Sequence, residues 1–502
     1  MLPLAMACSG PPVTSVALNL YAPSGQSPLT GVTWLNFTFS GPNLASPTTK
    51  LVAASGGTAA LTGLPTTSDV TVTVEGLPAF DPATGTPAAL SRGSAVAVDF
   101  AKPSTLNLFI ALVDQFALAT SATGSAQALS AARAGHTATL LKDGRVLIAG
   151  GGTFLGAASG TPLPSTIIGS VEIFDPRDGS ITSIATPCSG TGTALCTPRA
   201  YHTATLLKDG RVVLVGGLTF ATGGALVSTR AIELFSPTTN SFSASSTQLT
   251  ENGDRAYHTA TLRADGTVLI AGGARYSNQT ATPLATADIY TSSPELIAAT
   301  STTLATARLL HSATTLKDGR ILIAGGQGSS SVLSSTEIFD STFSPGPTLA
   351  TARTAHAALR LDATYVVLIG GFATPADPGS ITGSIEFYNQ DTSALDATKT
   401  ISLITPRAAH DIALTSGGRI LVSGGVTRSG TDQWKVIAAE TIEANGSGGF
   451  RSRATTAATL QGRSFHRATA LANSFVLLSG GLSVDGAATW VTLSHAELYN
   501  PP

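Results

Sequence analysis

The chain has 502 residues and a mass of 50.5 kDa, enough for two to four domains of ordinary size, or for one small domain and one large assembly. With 28 Lys and Arg against 30 Asp and Glu, a net charge of −2 and only 12% charged residues, it offers no basic field for nucleic acid and no acidic solvating tail. An apolar share of 43% with 52 glycines excludes disorder and suits a folded, secreted all-β protein whose polar surface is hydroxyl rather than ionic.

The first residues, Met-Leu-Pro-Leu-Ala-Met-Ala-Cys8, set a cysteine directly after small and apolar residues. This resembles the end of a bacterial lipoprotein signal. The resemblance implies a signal remnant over residues 1–8, a lipid on Cys8, and an exported protein: an outer-membrane or cell-surface lipoprotein, otherwise a secreted one. Seven residues are too few for a charged n-region and a full h-region, so either the natural start lies upstream or the match is accidental. No apolar run reaches the roughly 18 residues of a spanning helix. The run Leu106-Asn-Leu-Phe-Ile-Ala-Leu-Val113 is strand-sized, so membrane contact is expected only through a lipid at Cys8.

Residues 9–113 alternate with period two, as in Val16-Ala-Leu-Asn-Leu20, Val32-Thr-Trp-Leu-Asn-Phe37, Asp69-Val-Thr-Val-Thr-Val74 and Ser94-Ala-Val-Ala-Val-Asp-Phe100. Such runs between Gly/Pro/Ser turns predict an antiparallel β-sandwich of about seven strands, similar in general outline to immunoglobulin-like or prealbumin-like spacer domains.

From about residue 131 the chain repeats itself, and the repeat decides the fold. Seven segments carry Arg-x-x-His: Arg133/His136, Arg199/His202, Arg255/His258, Arg308/His311, Arg353/His356, Arg407/His410 and Arg463/His466. A Gly pair begins 14 residues after each His, from Gly150-Gly151 to Gly480-Gly481. Between them lie two short β-prone runs split by a turn, Asp143-Gly144 in the first repeat, which predicts a two-residue type I′ hairpin. A variable loop follows, then a strand opening on an acid: Glu172, Glu233, Asp288, Glu337, Glu386, Glu440 and Glu497. A weaker fourth run carries Phe242 or Phe343. Four antiparallel strands repeated seven times predict a propeller of sheets around a central axis. The chain stops just after a third strand, so Gln115-Phe-Ala-Leu-Ala-Thr120 is expected to supply the missing fourth one, with residues near Phe116 pairing with residues near Leu498.

On the Gly pair, the acid and the Arg-x-x-His, the unit resembles the kelch repeat in its bacterial form over residues 114–502. The resemblance implies an all-β, seven-bladed kelch β-propeller preceded by the small sandwich. The repeated residues admit two readings, a ring gripping an anion or metal, or scaffolding in which each Arg meets an acid and each His bonds backbone. Matching numbers of Arg and acid in so uncharged a chain favour scaffolding.

Cys188 and Cys196, in a Thr/Gly/Pro-rich stretch without a neighbouring His or acid, are expected to form a local disulfide, leaving Cys8 as the odd thiol. That stretch and Thr153–Gly169 are the longest loops, and variable loops on a rigid scaffold are where recognition sits. Tyr201, Tyr257, Phe220, Tyr276 and Trp434 are read as exposed contributors or as packing. The leading expectation is a monomeric, non-enzymatic surface module without cofactor, binding a protein or glycan through these loops. The alternative is copper chemistry. Tyr201-His202 and Tyr257-His258 resemble the Tyr-His pair of galactose oxidase, which implies a copper radical oxidase using those four residues.

Overall fold

The computed structural model describes residues 17–23, 26–54, 64–80, 85–101, 105–156, 162–184, 188, 194–251, 253–374, 380–429, 433–446, 448–456, 459, 461–485 and 488–502. Cys8 and the segment 1–8 lie outside them. Among the described residues there is no α-helix, and none long and apolar enough to cross a membrane.

The front part forms strands β1 (Ala17–Tyr21), β2 (Trp34–Ser40), β3 (Thr48–Ala53), β4 (Val70–Leu77), β5 (Ser91–Val98) and β6 (Thr105–Leu112). Their order is β1-β6-β5-β4-β2-β3. Alternate residues point inward, and Leu20, Phe37, Val72, Val98 and Leu108 from five strands share one core, so the sheet folds over on itself. The expected antiparallel set of about seven strands is six described strands, and β1 lies parallel to β6.

Seven four-stranded sheets follow. In blade 2 the order from the inside out is Thr203–Leu206, Val212–Val215, Ile232–Ser236 and Ser241–Ala244, all antiparallel. The second strands (Val-Leu-Ile-Ala, Val-Val-Leu-Val, Ile-Leu-Ile-Ala and their equivalents) are buried along their whole length. Each is covered on both faces by the adjacent blades, so the sequence runs apolar instead of alternating. Phe242 and Phe343 stand on fourth strands opposite Phe235 and Phe339, ring centroids 5.0 and 4.7 Å apart. In blade 5 the fourth strand is split into Ala394–Leu395 and Ile401–Ser402, both paired with Ser384–Asn389.

The fourth strand of blade 7 is β7 (Gln115–Leu118), where Phe116 pairs with Tyr499 and Ala117 with Leu498. The last blade also meets the first as every other neighbour pair meets. The second Gly of each pair donates its N–H to the carbonyl of the next blade's Arg at 2.8 Å, and Gly481 donates to Arg133. A methyl group at Gly150 would lie 2.5 Å from the Arg199 carbonyl and one at Gly151 2.8 Å from that of Ala134, and both glycines have positive φ, so no other residue fits.

The turns between first and second strands differ from the expected two-residue type I′ form. Leu140 pairs with Val146, Leu141 N–H bonds the Arg145 carbonyl, and only Gly144 takes positive φ. This is the longer hairpin with one left-handed residue. The Asp143 carboxylate accepts the Arg145 N–H at 3.1 Å, which explains the Asp without requiring positive φ there.

The front sheet sits at the turn end of the propeller. Phe109 packs on Tyr21 and Phe475, and Asn500 Nδ2 bonds the Ala111 carbonyl at 2.7 Å. The loops after the second strands stand at the opposite end. Five become β-hairpins, among them Leu218–Phe220 with Leu226–Ser228, Ala274–Ser277 with Thr280–Pro283, and Leu482–Val484 with Trp490–Thr492. Blades 4 and 5 have single bridges there, Gln327 with Val332 and Phe372 with Ile381. A crown of seven loops therefore rises around the axis.

Candidate functional site

All seven repeat arginines are buried, and each meets the acid of its own blade: Arg133–Glu172 and Arg308–Glu337 at 2.7 Å, Arg255–Asp288 at 3.0 Å, and likewise Arg199–Glu233, Arg353–Glu386, Arg407–Glu440 and Arg463–Glu497. Nη1 of each donates to the first Gly carbonyl of its own pair at 2.8–3.0 Å. Backbone N–H groups cap the acids; Cys196 and Thr197 both donate to Glu233 at 2.8 Å. Cys188 and Cys196 form a disulfide, so the bridged loop anchors the ion pair of blade 2. The guanidinium charges are thus spent on scaffolding.

Six of the seven histidines bond across blades to hydroxyls. Nε2 of His202 lies 3.0 Å from Thr137 Oγ1, His258 2.9 Å from Thr203, His311 3.0 Å from Thr259, and His356 2.8 Å from Ser312. For His466 and His136 the hydroxyl comes from the facing second-strand position, Ser423 and Ser479, because Asp411 and Arg467 occupy the first-strand one. Blade 5 has Ala357 opposite Ile369, so no hydroxyl is available and His410 faces the Ile369 backbone. Burial, then the neighbouring Arg charge, holds all seven imidazoles below their usual value, to about 3 for His311 and His410.

The residue before each His carries the feature that the repeat pattern concealed. Gly135, Tyr201, Tyr257, Leu310, Ala355, Ala409 and Phe465 all have φ between 48 and 62°. Their backbones form a closed ring: each N–H bonds the carbonyl of the preceding member at 2.7–3.3 Å, and Gly135 closes on Phe465. Left-handed conformation is unfavourable for six non-glycine residues, and it persists because the ring bonds impose it. The ring aims six side chains at the axis beneath the crown. Tyr201 packs on Tyr257 at 4.5 Å and edge-on to Phe465 at 6.4 Å, and plugs one half. Gly135 makes room for it, since a Cβ there would lie 3.1 Å from the Tyr201 ring.

The other half is open. A cavity of about 390 Å³ lies over the arc from Tyr257 through Leu310 and Ala355 to Phe465, walled by Tyr276, Phe372, Val426 and Trp490. None of the sixteen described residues that line it is charged. Of the aromatics singled out from sequence, Tyr201 and Tyr276 are buried rather than exposed, Tyr257 is half-buried in the cavity wall, and Phe220 is exposed on the crown. The Trp434 side chain lies outside the described residues. Phe465, Phe372, Trp490 and Thr354 were not singled out from sequence, although Gly135 within Arg-Ala-Gly-His hints at positive φ.

The residues matched to copper ligands do not fit that role. Nε2 of His202 and His258 are spent on Thr137 and Thr203, as in blades with no Tyr before the His. Burial pushes the Tyr201 and Tyr257 phenols above their usual value.

No protein-family model and no curated protein matches the sequence. Among solved structures the chain is similar to a novel fungal alcohol oxidase of the AA5 family, solved in complex with copper. The TM-score is 0.52 at 13% identity over 74% of this chain and 74% of that one. The likeness is one of fold.

Proposed function

We propose that the protein is an exported, non-enzymatic binding module of the kelch-propeller type, in which residues 9–113 are a spacer and residues 114–502 present the crown of loops to a ligand. The observation that carries this reading is the division of labour around the axis. Every repeated Arg and acid, and six of the seven His, are committed within or between blades, while the ring also leaves an aromatic-walled cavity whose described lining is uncharged. Concave apolar sites on rigid scaffolds are where ligands bind. A protein or glycan partner would meet the same face.

A second reading, a copper radical oxidase acting through Tyr201, His202, Tyr257 and His258, is favoured by the structural neighbour, an alcohol oxidase solved in complex with copper. Against it stand the hydrogen bonds that occupy Nε2 of both imidazoles. The two readings separate in one experiment: load the protein with Cu(II), remove free metal, measure retained copper, and assay hydrogen peroxide release from primary alcohols. The binding-module reading expects no tightly held copper and no peroxide. One copper per chain with peroxide release establishes the oxidase.

A further inference from the structure

The axial cavity is walled by aromatic rings on three sides. Tyr257 and Tyr276 belong to blade 3, Phe372 to blade 5, and Phe465 and Trp490 to blade 7. No two of these blades are neighbours around the axis, so the rings bound the space from separate directions instead of forming one face. Given the binding-module reading, on which this rests, that placement names a ligand.

The walls are held ready. In the ring, Tyr257 N–H bonds the Tyr201 carbonyl at 3.2 Å and Phe465 N–H that of Ala409 at 3.0 Å. In the crown, Tyr276 N–H bonds Ser228 Oγ at 2.9 Å and Trp490 N–H the Gly156 carbonyl at 3.0 Å, so both hairpins lean on the next loop. A site fixed in advance loses little freedom when a ligand enters. Leu163 and Gln279, both exposed, stand on its rim and leave it open at the crown end.

Aromatic rings carry negative faces and attract a cation placed over them. A flat molecule can be stacked by two surfaces at most, whereas a rounded cation meets a ring on each of three sides. A quaternary ammonium suits this best. It has no N–H donor to leave unpaired, and its methyl groups pack as apolar surface, while a primary ammonium would lose hydrogen bonds to water that these rings do not replace.

We propose that the axial cavity binds a small molecule bearing a quaternary ammonium group, its methyl groups seated among Tyr257, Phe372, Phe465 and Trp490. The volume of about 390 Å³ lies at the small-ligand end of ordinary sites, which sets the size class. The ring supplies substitutions that its backbone already accepts. Leu310 stands at φ 53°, beside 57° for Tyr257 and 52° for Phe465, so leucine can replace either aromatic. Tyr201 at φ 54° shows that tyrosine is accepted too, so Phe465→Tyr keeps an aromatic wall.

The test is calorimetric titration of the full chain with choline, its neutral isostere 3,3-dimethylbutan-1-ol, and ethanolamine. Choline is expected to bind once per chain, and the isostere and ethanolamine about 10-fold more weakly or less. Phe465→Leu and Tyr257→Leu should each weaken choline about 5-fold or more and leave the isostere unchanged, with an unchanged circular dichroism spectrum, whereas a merely structural ring would lower both ligands together. Phe465→Tyr should retain choline binding. An isostere bound as tightly as choline, or choline binding indifferent to both leucine substitutions, overturns the proposal. Absence of choline binding in protein that holds no copper and releases no peroxide overturns the ligand class alone; copper retention with peroxide overturns the reading beneath it.

Discussion

The Tyr499 hydroxyl donates a hydrogen bond to the Asp114 carboxylate at 2.6 Å, joining residues 385 positions apart at the seam where the ring closes. Asp114 also accepts from Thr456 N–H at 3.1 Å and pairs with Arg453 at 3.0 Å, so one buried carboxylate ties the front of the chain to its last two blades. Burial pushes this carboxyl up, but the bonds from Thr456 and Tyr499 and the Arg453 charge outweigh it and hold it below its usual value. A carboxylate depressed on folding contributes stability above the unfolded value of 3.8, lost as pH falls through the folded value. Asp114→Asn should therefore cost about 1–3 kcal/mol near neutral pH and progressively less below pH 3.8. Urea midpoints of the two proteins at pH 7 check the size of this effect; an Asn variant as stable as the parent refutes it.

The buried histidines make a larger acid effect. An unfolded imidazole titrates near 6.5, whereas the seven folded ones are held neutral well below that. Below pH 6.5 the unfolded chain binds protons that the folded chain refuses, so stability falls with pH, by about 1.4 kcal/mol per pH unit for each participating histidine. The loss begins near 6.5 and continues towards about 3, the value of His311 and His410. Acid unfolding is expected to set in above the carboxylate range, and a stability profile flat from pH 7 to pH 5 would refute it.

The cross-blade hydroxyls predict opposite effects at two equivalent positions. Thr203→Val strands His258 Nε2 and should destabilise by about 1–3 kcal/mol. Ala357→Thr supplies the hydroxyl that His410 lacks and should stabilise by about 0.5–1.5 kcal/mol. Denaturation midpoints moving in the same direction for both would sink the rule.

Breaking a blade's ion pair should cost more than replacing it. Arg308→Met leaves the Glu337 carboxylate buried beside its backbone caps and is expected to lose about 3–5 kcal/mol. Adding Glu337→Leu should recover most of that loss, as measured by a double-mutant cycle.

Reduction of Cys188–Cys196, which spans eight residues, should lower stability by about 2–3 kcal/mol on the loop-entropy argument, because the freed loop also carries the amides that cap Glu233. Unfolding with and without reductant reads this directly; equal midpoints would show that the bridge contributes nothing.

The sequence by itself determined whatever recurs. Seven Arg-x-x-His segments at constant distance from seven Gly pairs dictate blade number and strand order, and period-two alternation marked four of the six front strands. Local chemistry is enough for that, since a turn, a strand and a close glycine contact each leave their mark within about fifteen residues. Tertiary structure decided everything that depends on which blade faces which. His202 reaches Thr137 of the preceding blade rather than backbone, and β1 joins β6 in parallel. The cavity is the extreme case. Gly135, Tyr201, Leu310, Ala355 and Phe465 look unrelated along the chain because sequence spacing carries no information about distance across an axis. Only the closed ring of left-handed residues brings them together, and only there does their unequal size leave a cavity.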